Sequence, residues 1–200
     1  MVSYLCPMKI LFIHGLASSG AYKMTTMLSQ LMRPVEVIAP DFPVAPSEMA
    51  PMLEKICAEE DPDLVVGLSL GGFWAQKLRG RKKVLVNPSF HISRLLETMV
   101  GQVKYLSPRK DGETEFTVSE DIVRQYKELE DKQFLEVSPE EAALTLGLFA
   151  DHDERVRCGE EFEAAYPGRA VSYSGTHLPT YPEMKFSIVP EIRKFLESGL

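Results

Sequence analysis

A three-layer α/β sandwich around a mostly parallel six-stranded sheet is the fold this sequence predicts. Short apolar, β-branched runs alternate with helical patterns along the 200 residues. Several of those runs are apolar throughout, as strands buried on both faces of a parallel sheet must be. Strands that alternate with helices assemble into one sheet through right-handed crossovers.

The strands are expected at 9–13 (KILFI), 35–39 (VEVIA), 64–68 (LVVGL), 83–87 (KVLVN), 144–149 (LTLGLF) and 170–174 (AVSYS). Helices are expected at about 20–32, 47–60, 70–80, 157–166 and 185–198. The second has Ser47 as its N-cap, with Met49, Met52, Leu53 and Ile56 at helical spacing. Pro190 falls inside the last helical pattern, so a kink or break is expected there.

No internal repeat or low-complexity tract interrupts the rhythm, but one long segment does. Residues 91–140 separate the fourth and fifth strands, more than a crossover needs. Within it, 107–119 (SPRKDGETEFTVS) is expected to be a polar loop or hairpin, and 119–131 a helix capped by Ser119. The segment is expected to cap one end of the sheet. The stretch before Met8 carries few structural signals, so a single domain is expected over 8–200.

Composition excludes some functions. With 22 Lys and Arg against 29 Asp and Glu, the formal charge is −7. A nucleic-acid partner would require a basic face, so none is expected. No apolar run approaches the ~18 residues of a membrane span, and no signal peptide pattern is present. Cys6, Cys57 and Cys158 form no CxxC pair, which points to a reducing, cytoplasmic compartment without a disulfide framework.

The stretch VVGLSLGG, residues 65–72, carries the chemistry. A buried strand runs into a helix at Ser69, with Gly67 and Gly71 two residues either side. A tight strand-to-helix turn brings backbones so close that side chains at those positions would clash. The serine is left projecting at the tip of the nucleophile elbow, G-x-S-x-G. The bland alternative is a turn packed on glycines, with the serine as an N-cap.

A serine hydroxyl is a weak nucleophile at neutral pH and requires a base held by an acid. His177 follows the last strand in YSGTHLPTY, where a loop can carry an imidazole to Ser69. His14 follows the first strand and is expected to brace its loop, while His91 and His152 are expected to be structural or exposed. The acid should lie between serine and histidine in the chain. LFADHDERV supplies Asp151 and Asp153. Asp153 is favoured because Val156 follows it in a D-x-x-V pattern, and Asp151 is expected to help cap the helix near 157.

An oxyanion hole would use the N–H of Leu70 and that of Leu16 in HGLASSG. Glycine and serine over 15–20 also suit a phosphate loop, but GLASSG is not G-x-G-x-x-G.

FIHGLASS, APDFP, GLSLGG, VNPS, DHDERV and SGTHLP, in this order and spacing, resemble the small YqiA-type esterases of the α/β-hydrolase superfamily. The resemblance spans nearly the whole chain from Met8. It implies a compact α/β-hydrolase fold, a Ser69–His177–Asp153 triad and oxyanion donors at Leu16 and Leu70. It also implies carboxylesterase or acyl thioesterase activity with no metal or organic cofactor. The chain departs from those relatives in 91–140 and in SGTH, which stands where GGNH is common.

The expected activity is hydrolysis of a small-molecule acyl ester or thioester. A non-catalytic ligand-binding protein and an acyltransferase on the same fold are the alternatives. Dehalogenase chemistry is disfavoured because the elbow carries serine. Substrate-binding candidates are Tyr22, Phe90 and Tyr105, with Phe73, Phe116 and Tyr181 behind them. Lys104, Arg109 and Lys110 are candidates for an anionic leaving group, and RGRKK, 79–83, is expected to be a solvated helix end far from the site.

Overall fold

Strand β1 (Lys9–Ile13) leads through helix α1 (Lys23–Leu31) to β2 (Glu36–Ile38) in the structure, a computed structural model that describes residues 8–135 and 137–198. Then come α2 (Pro46–Glu60), β3 (Leu64–Leu68), α3 (Leu70–Lys77) and β4 (Lys83–Val86). The long segment supplies α4 (Ile92–Glu97), β5 (Gly101–Lys104), β6 (Glu115–Val118), α5 (Glu120–Glu130) and α6 (Pro139–Ala143). The chain ends with β7 (Thr145–Ala150), α7 (Gly159–Ala165), β8 (Ala170–Tyr173), α8 (Tyr181–Glu183), a π turn (Met184–Ile188) and α9 (Val189–Glu197).

Six strands form one sheet in the order β2-β1-β3-β4-β7-β8, and every neighbouring pair is parallel. The chain moves outward from β1 to β2, then returns past β1 to β3. That reversal places the switch point, where α/β sheets hold their ligands, between β1 and β3. The loops after β1, β3, β7 and β8 all open at the same, C-terminal edge.

Period-two alternation sorts the strand side chains into two cores. Leu11, Ile13, Val65 and Leu85 pack on one face with α2, α3, α5 and α7. Ile10, Phe12, Val66, Val84 and Leu148 pack on the other with α1 and α9. Both faces are therefore covered, which is why these strands are apolar throughout.

The long segment divides by function of place. Its α5, capped by Ser119 accepting from the Ile122 N–H at 3.2 Å, belongs to the core. Tyr126 is fully buried, donates to the Val44 carbonyl at 2.8 Å and accepts from Trp74 Nε1 at 3.2 Å. Strands β5 and β6 form an antiparallel hairpin. Its connecting loop docks on the segment after β1, where Leu106 N–H donates to the Ala17 carbonyl at 2.7 Å.

Three expectations are corrected. Helix α2 starts at Pro46 with Ala45 as its N-cap, so Ser47 lies inside the first turn. Proline's fixed φ suits that opening turn and moves the boundary. Pro190 does not end the helix, but a π turn interrupts it just before: that turn, closed by Val189 N–H on the Met184 carbonyl, brings the proline into the first turn of α9. Finally, RGRKK is solvated at Arg79 and Gly80 but not at its end. Lys83 is fully buried, bonded to the Leu78 carbonyl at 2.7 Å and paired with Glu141.

Candidate active site

Ser69 lies between β3 and α3 with φ 56° and ψ −117°. A non-glycine residue in that region costs about 1–3 kcal/mol and is kept only where its surroundings hold it there. Its own N–H donates to the Val86 carbonyl and its carbonyl accepts from Ser89 N–H, both at 3.0 Å. The flanking glycines make room. A Cβ on Gly67 would lie 2.2 Å from the Gly71 carbonyl oxygen. A Cβ on Gly71 would lie 1.9 Å from the Ile13 carbonyl oxygen, so this second glycine serves the approach of α3 to β1.

The structure brings Ser69, His177 and Asp153 into one hydrogen-bonded line. His177 Nε2 is 3.0 Å from Ser69 Oγ, and His177 Nδ1 is 2.7 Å from Asp153 Oδ2. An ionised carboxylate only accepts, so the ring proton sits on Nδ1 and Nε2 is free to accept from the serine. Asp153 is buried, and its other oxygen accepts from the N–H groups of Arg155 and Val156 at 2.8 and 2.9 Å. Asp151 instead accepts from Gly175 N–H at 3.0 Å, and α7 has Cys158 in the N-cap position without a side-chain cap.

The N–H groups of Leu16 and Leu70 find no acceptor among the described residues. Leu16 lies on the loop after β1, beside Gly15, where a Cβ would come within 3.3 Å of Ser69 Cβ. Leu70 opens α3, so its N–H is one of the unpaired donors at a helix start. His14 braces this region. It accepts from Phe42 N–H at 3.1 Å through Nε2 and donates to the Gly15 carbonyl at 2.9 Å through Nδ1. Burial lowers its pKa from 6.5 to about 4, so it stays neutral.

Asn87, which sequence reasoning left without a role, ties the site together. It is buried and adopts φ 44°. Its Nδ2 lies 3.0 Å from the His177 carbonyl, 3.1 Å from that of Thr176 and 2.9 Å from the Tyr173 hydroxyl. Its Oδ1 accepts from Ala150 N–H at 2.8 Å. The sequence signal was a polar residue at the end of the KVLVN run, within the VNPS motif.

Ser69 and His177 open into a cavity of about 820 Å³. Tyr22 lines it, as expected. Two other candidates do not. Phe90 is fully buried, with its ring 5.0 Å from that of Phe134 and 6.4 Å from that of Phe162. Tyr105 packs its ring 4.8 Å from Phe116 and borders a small crevice beside His14. Of the second group, Phe73 is core, while Tyr181 is exposed and outside the cavity lining. Arg109 pairs with Asp111 and donates to the Phe42 carbonyl, and Lys110 donates to that of Ala39. Neither they nor Lys104 lines the cavity. The cavity's cationic residues are Arg94, Arg155 and Arg157, and its apolar wall includes Leu95, Met99 and Leu106. His91 lies at its edge, 2.8 Å from Glu161, and His152 is exposed. Among the described residues, no group of three or more His, Cys, Asp or Glu is placed to hold a metal ion.

The profile of the family described as "Uncharacterised protein family (UPF0227)" matches residues 9–158. The chain belongs to UPF0227. This is the YqiA-like family that the motifs resemble. A UPF0227 protein of Shewanella sp. (strain ANA-3) is 23% identical over 197 residues, covering 93% of this chain and 98% of its own. One from Shewanella sp. (strain MR-4) is 23% identical over 196 residues, with the same coverage. Among solved structures, this UPF0227 chain is similar to a Paleococcus ferrophilus monoacylglycerol lipase, with TM-score 0.66, 14% identity, and 94% and 93% of the two chains covered. It is also similar to the esterase domain of a Rhodothermus marinus protein, with TM-score 0.63, 17% identity, and 97% and 90% covered. At such identities the likeness establishes the fold, which is that of the α/β-hydrolases.

Proposed function

We propose that this chain is a serine hydrolase that cleaves small-to-medium acyl esters or thioesters through an acyl-enzyme on Ser69. The observation that carries this reading is the continuous line from Asp153 through His177 to Ser69 Oγ, at 2.7 and 3.0 Å. His177 takes the Ser69 proton as the oxygen attacks the carbonyl carbon. Asp153 holds the ring in the productive tautomer and stabilises the imidazolium. The N–H groups of Leu16 and Leu70 donate hydrogen bonds to the developing oxyanion. His177 then protonates the departing alcohol or thiol, and water repeats the cycle on the acyl-serine. No step requires a cofactor. The cavity of about 820 Å³ is of the size that holds a small-molecule substrate. The named structural relatives include a lipase and an esterase, which favours acyl chemistry over other uses of the fold.

The free, buried thiols of Cys57 and Cys158 accord with a reducing, cytoplasmic place of work; Cys6 lies outside the described residues. Among the described residues, no helix is long and apolar enough to cross a membrane.

The test is intact-mass analysis after a fluorophosphonate probe, with Ser69→Ala beside the wild type. One adduct on the wild type and none on the variant is expected, with turnover of an ester and thioester panel falling by on the order of 10⁴–10⁶ in the variant. A folded wild type that takes no probe and cleaves no ester would overturn the reading in favour of a binding protein. Faster acyl transfer to added alcohols or amines than to water would make it an acyltransferase.

A further inference from the structure

The wall of the cavity is cationic in a chain that is acidic. Of the charged side chains that line it, all three are arginines, Arg94, Arg155 and Arg157, and no carboxylate joins them. The whole chain carries 29 Asp and Glu against 22 Lys and Arg, so this local balance is the reverse of the global one.

Arg81, Arg109 and Arg124 each pair with a carboxylate. Among the described residues, Arg94, Arg155 and Arg157 belong, with Arg33, Arg79, Arg169 and Arg193, to the arginines that no carboxylate engages. Arg157 Nε donates to the Asp153 carbonyl at a long 3.4 Å, and the side chain is exposed. The Asp153 carboxylate is buried and bonded to His177 and two backbone N–H groups, and none of the three arginines forms an ion pair with it.

Two separate elements supply these groups. Arg94 comes from α4, and Arg155 and Arg157 from the loop between Asp153 and α7. Only folding brings them around one space, beside the apolar Leu95, Met99 and Leu106. Guanidinium groups match carboxylate and phosphate oxygens through paired N–H donors. A cavity lined by one sign of charge with low-dielectric walls also raises the local concentration of the opposite charge.

We propose that Arg94, Arg155 and Arg157 make this site select acyl esters or thioesters that carry a second, anionic group, a carboxylate or a phosphate. The inference rests on the hydrolase reading above. The apolar wall takes the hydrocarbon portion of the substrate while the guanidiniums hold the anion.

Matched substrate pairs test this and locate the anion. The mono-p-nitrophenyl ester of glutaric acid against p-nitrophenyl butyrate places a carboxylate on the acyl half. S-butyryl-4′-phosphopantetheine against S-butyrylpantetheine places a phosphate on the leaving half. One anionic member is expected to exceed its neutral twin in kcat/KM by about tenfold or more, mostly through KM. That ratio should collapse toward one in the Arg94→Gln/Arg155→Gln variant and shrink with added salt. Ratios at or below one in both pairs would overturn the proposal, as would a ratio that survives the double substitution. If none of the four compounds turns over, the hydrolase reading fails separately. Calorimetric binding of the same compounds to Ser69→Ala then decides the charge question, with equal affinity within both pairs counting against it.

Discussion

The side-chain nitrogen of Asn87 lies 3.0 Å from the backbone oxygen of His177, across 90 positions of sequence. The same carboxamide accepts from Ala150 at the end of β7, three residues before Asp153. Its neighbours Val86 and Ser89 hold the backbone of Ser69. One short segment after β4 therefore positions the histidine loop, the approach to the acid and the elbow. Asn87 touches no reacting atom, so it is a positioning residue. Asn87→Asp turns a donor into an acceptor facing three oxygens. We expect kcat to fall by about 10–100-fold with a smaller change in KM, and stability to fall by about 1–3 kcal/mol. Steady-state kinetics and urea unfolding of the same preparation check both, and Asn87→Ala should show the milder effect.

Gly71→Ala is expected to be among the most damaging single-methyl additions in the chain. The new Cβ would meet the Ile13 carbonyl oxygen at 1.9 Å, and neither β1 nor α3 can retreat without opening the sheet–helix contact. A loss of roughly 3 kcal/mol or more, or failure to fold, should be seen by thermal denaturation. Gly159→Ala is the control. Its nearest neighbour would be a Phe149 ring carbon at 3.6 Å, an ordinary contact, and its stability should be unchanged or slightly raised.

His14 makes acid stability depend on pH. Burial lowers its pKa from 6.5 to about 4 in the folded chain. As pH falls below 6.5, the unfolded chain takes up a proton that the folded chain refuses, so stability declines. The decline ends near pH 4, where the folded group titrates too. This one group accounts for a loss on the order of 3 kcal/mol across that window. His14→Gln should be less stable at pH 7 yet lose less on acidification, which chemical denaturation at pH 7 and pH 4.5 would reveal.

Lys83 and Glu141 form a buried pair at the end of the sheet away from Ser69. Burial lowers the lysine pKa, and its Glu141 partner opposes that shift. Lys83→Met leaves the carboxylate with the Gly80 N–H, at 2.9 Å, as a partner. A loss of about 3–5 kcal/mol is expected from breaking a buried pair. Adding Glu141→Gln removes the stranded charge and keeps an acceptor for Gly80, so the double variant should recover more than half of the loss in a denaturant titration.

Much of this protein is written locally. Strands such as LVVGL declare themselves because a parallel strand under two helical layers has no polar face to display. The candidates Ser69, Asp153 and His177 stood out because each sits in a short motif within a few residues of a strand's end. In a parallel sheet the loops after the strands share one edge, so residues on them can meet there.

Other features depend on what packs against what, which no short stretch of sequence reports. Phe90 and Tyr22 are both aromatic residues in loops, yet one fills the core and the other the cavity. Lys83 stands in a basic run that looks solvated, but Glu141, 58 residues away, receives its ammonium inside the protein. Asn87 gained its role only when the end of β7 and the stretch from Tyr173 to His177 converged on one amide. Arg94 of α4 and the arginines of the loop after Asp153 line one cavity only in the folded chain. The sequence by itself determined the sheet, the elbow and the order of the candidate triad, because these follow from periodicity and backbone sterics. The tertiary structure decided the cavity lining and the positioning network, because long-range proximity sets burial, pairing and field.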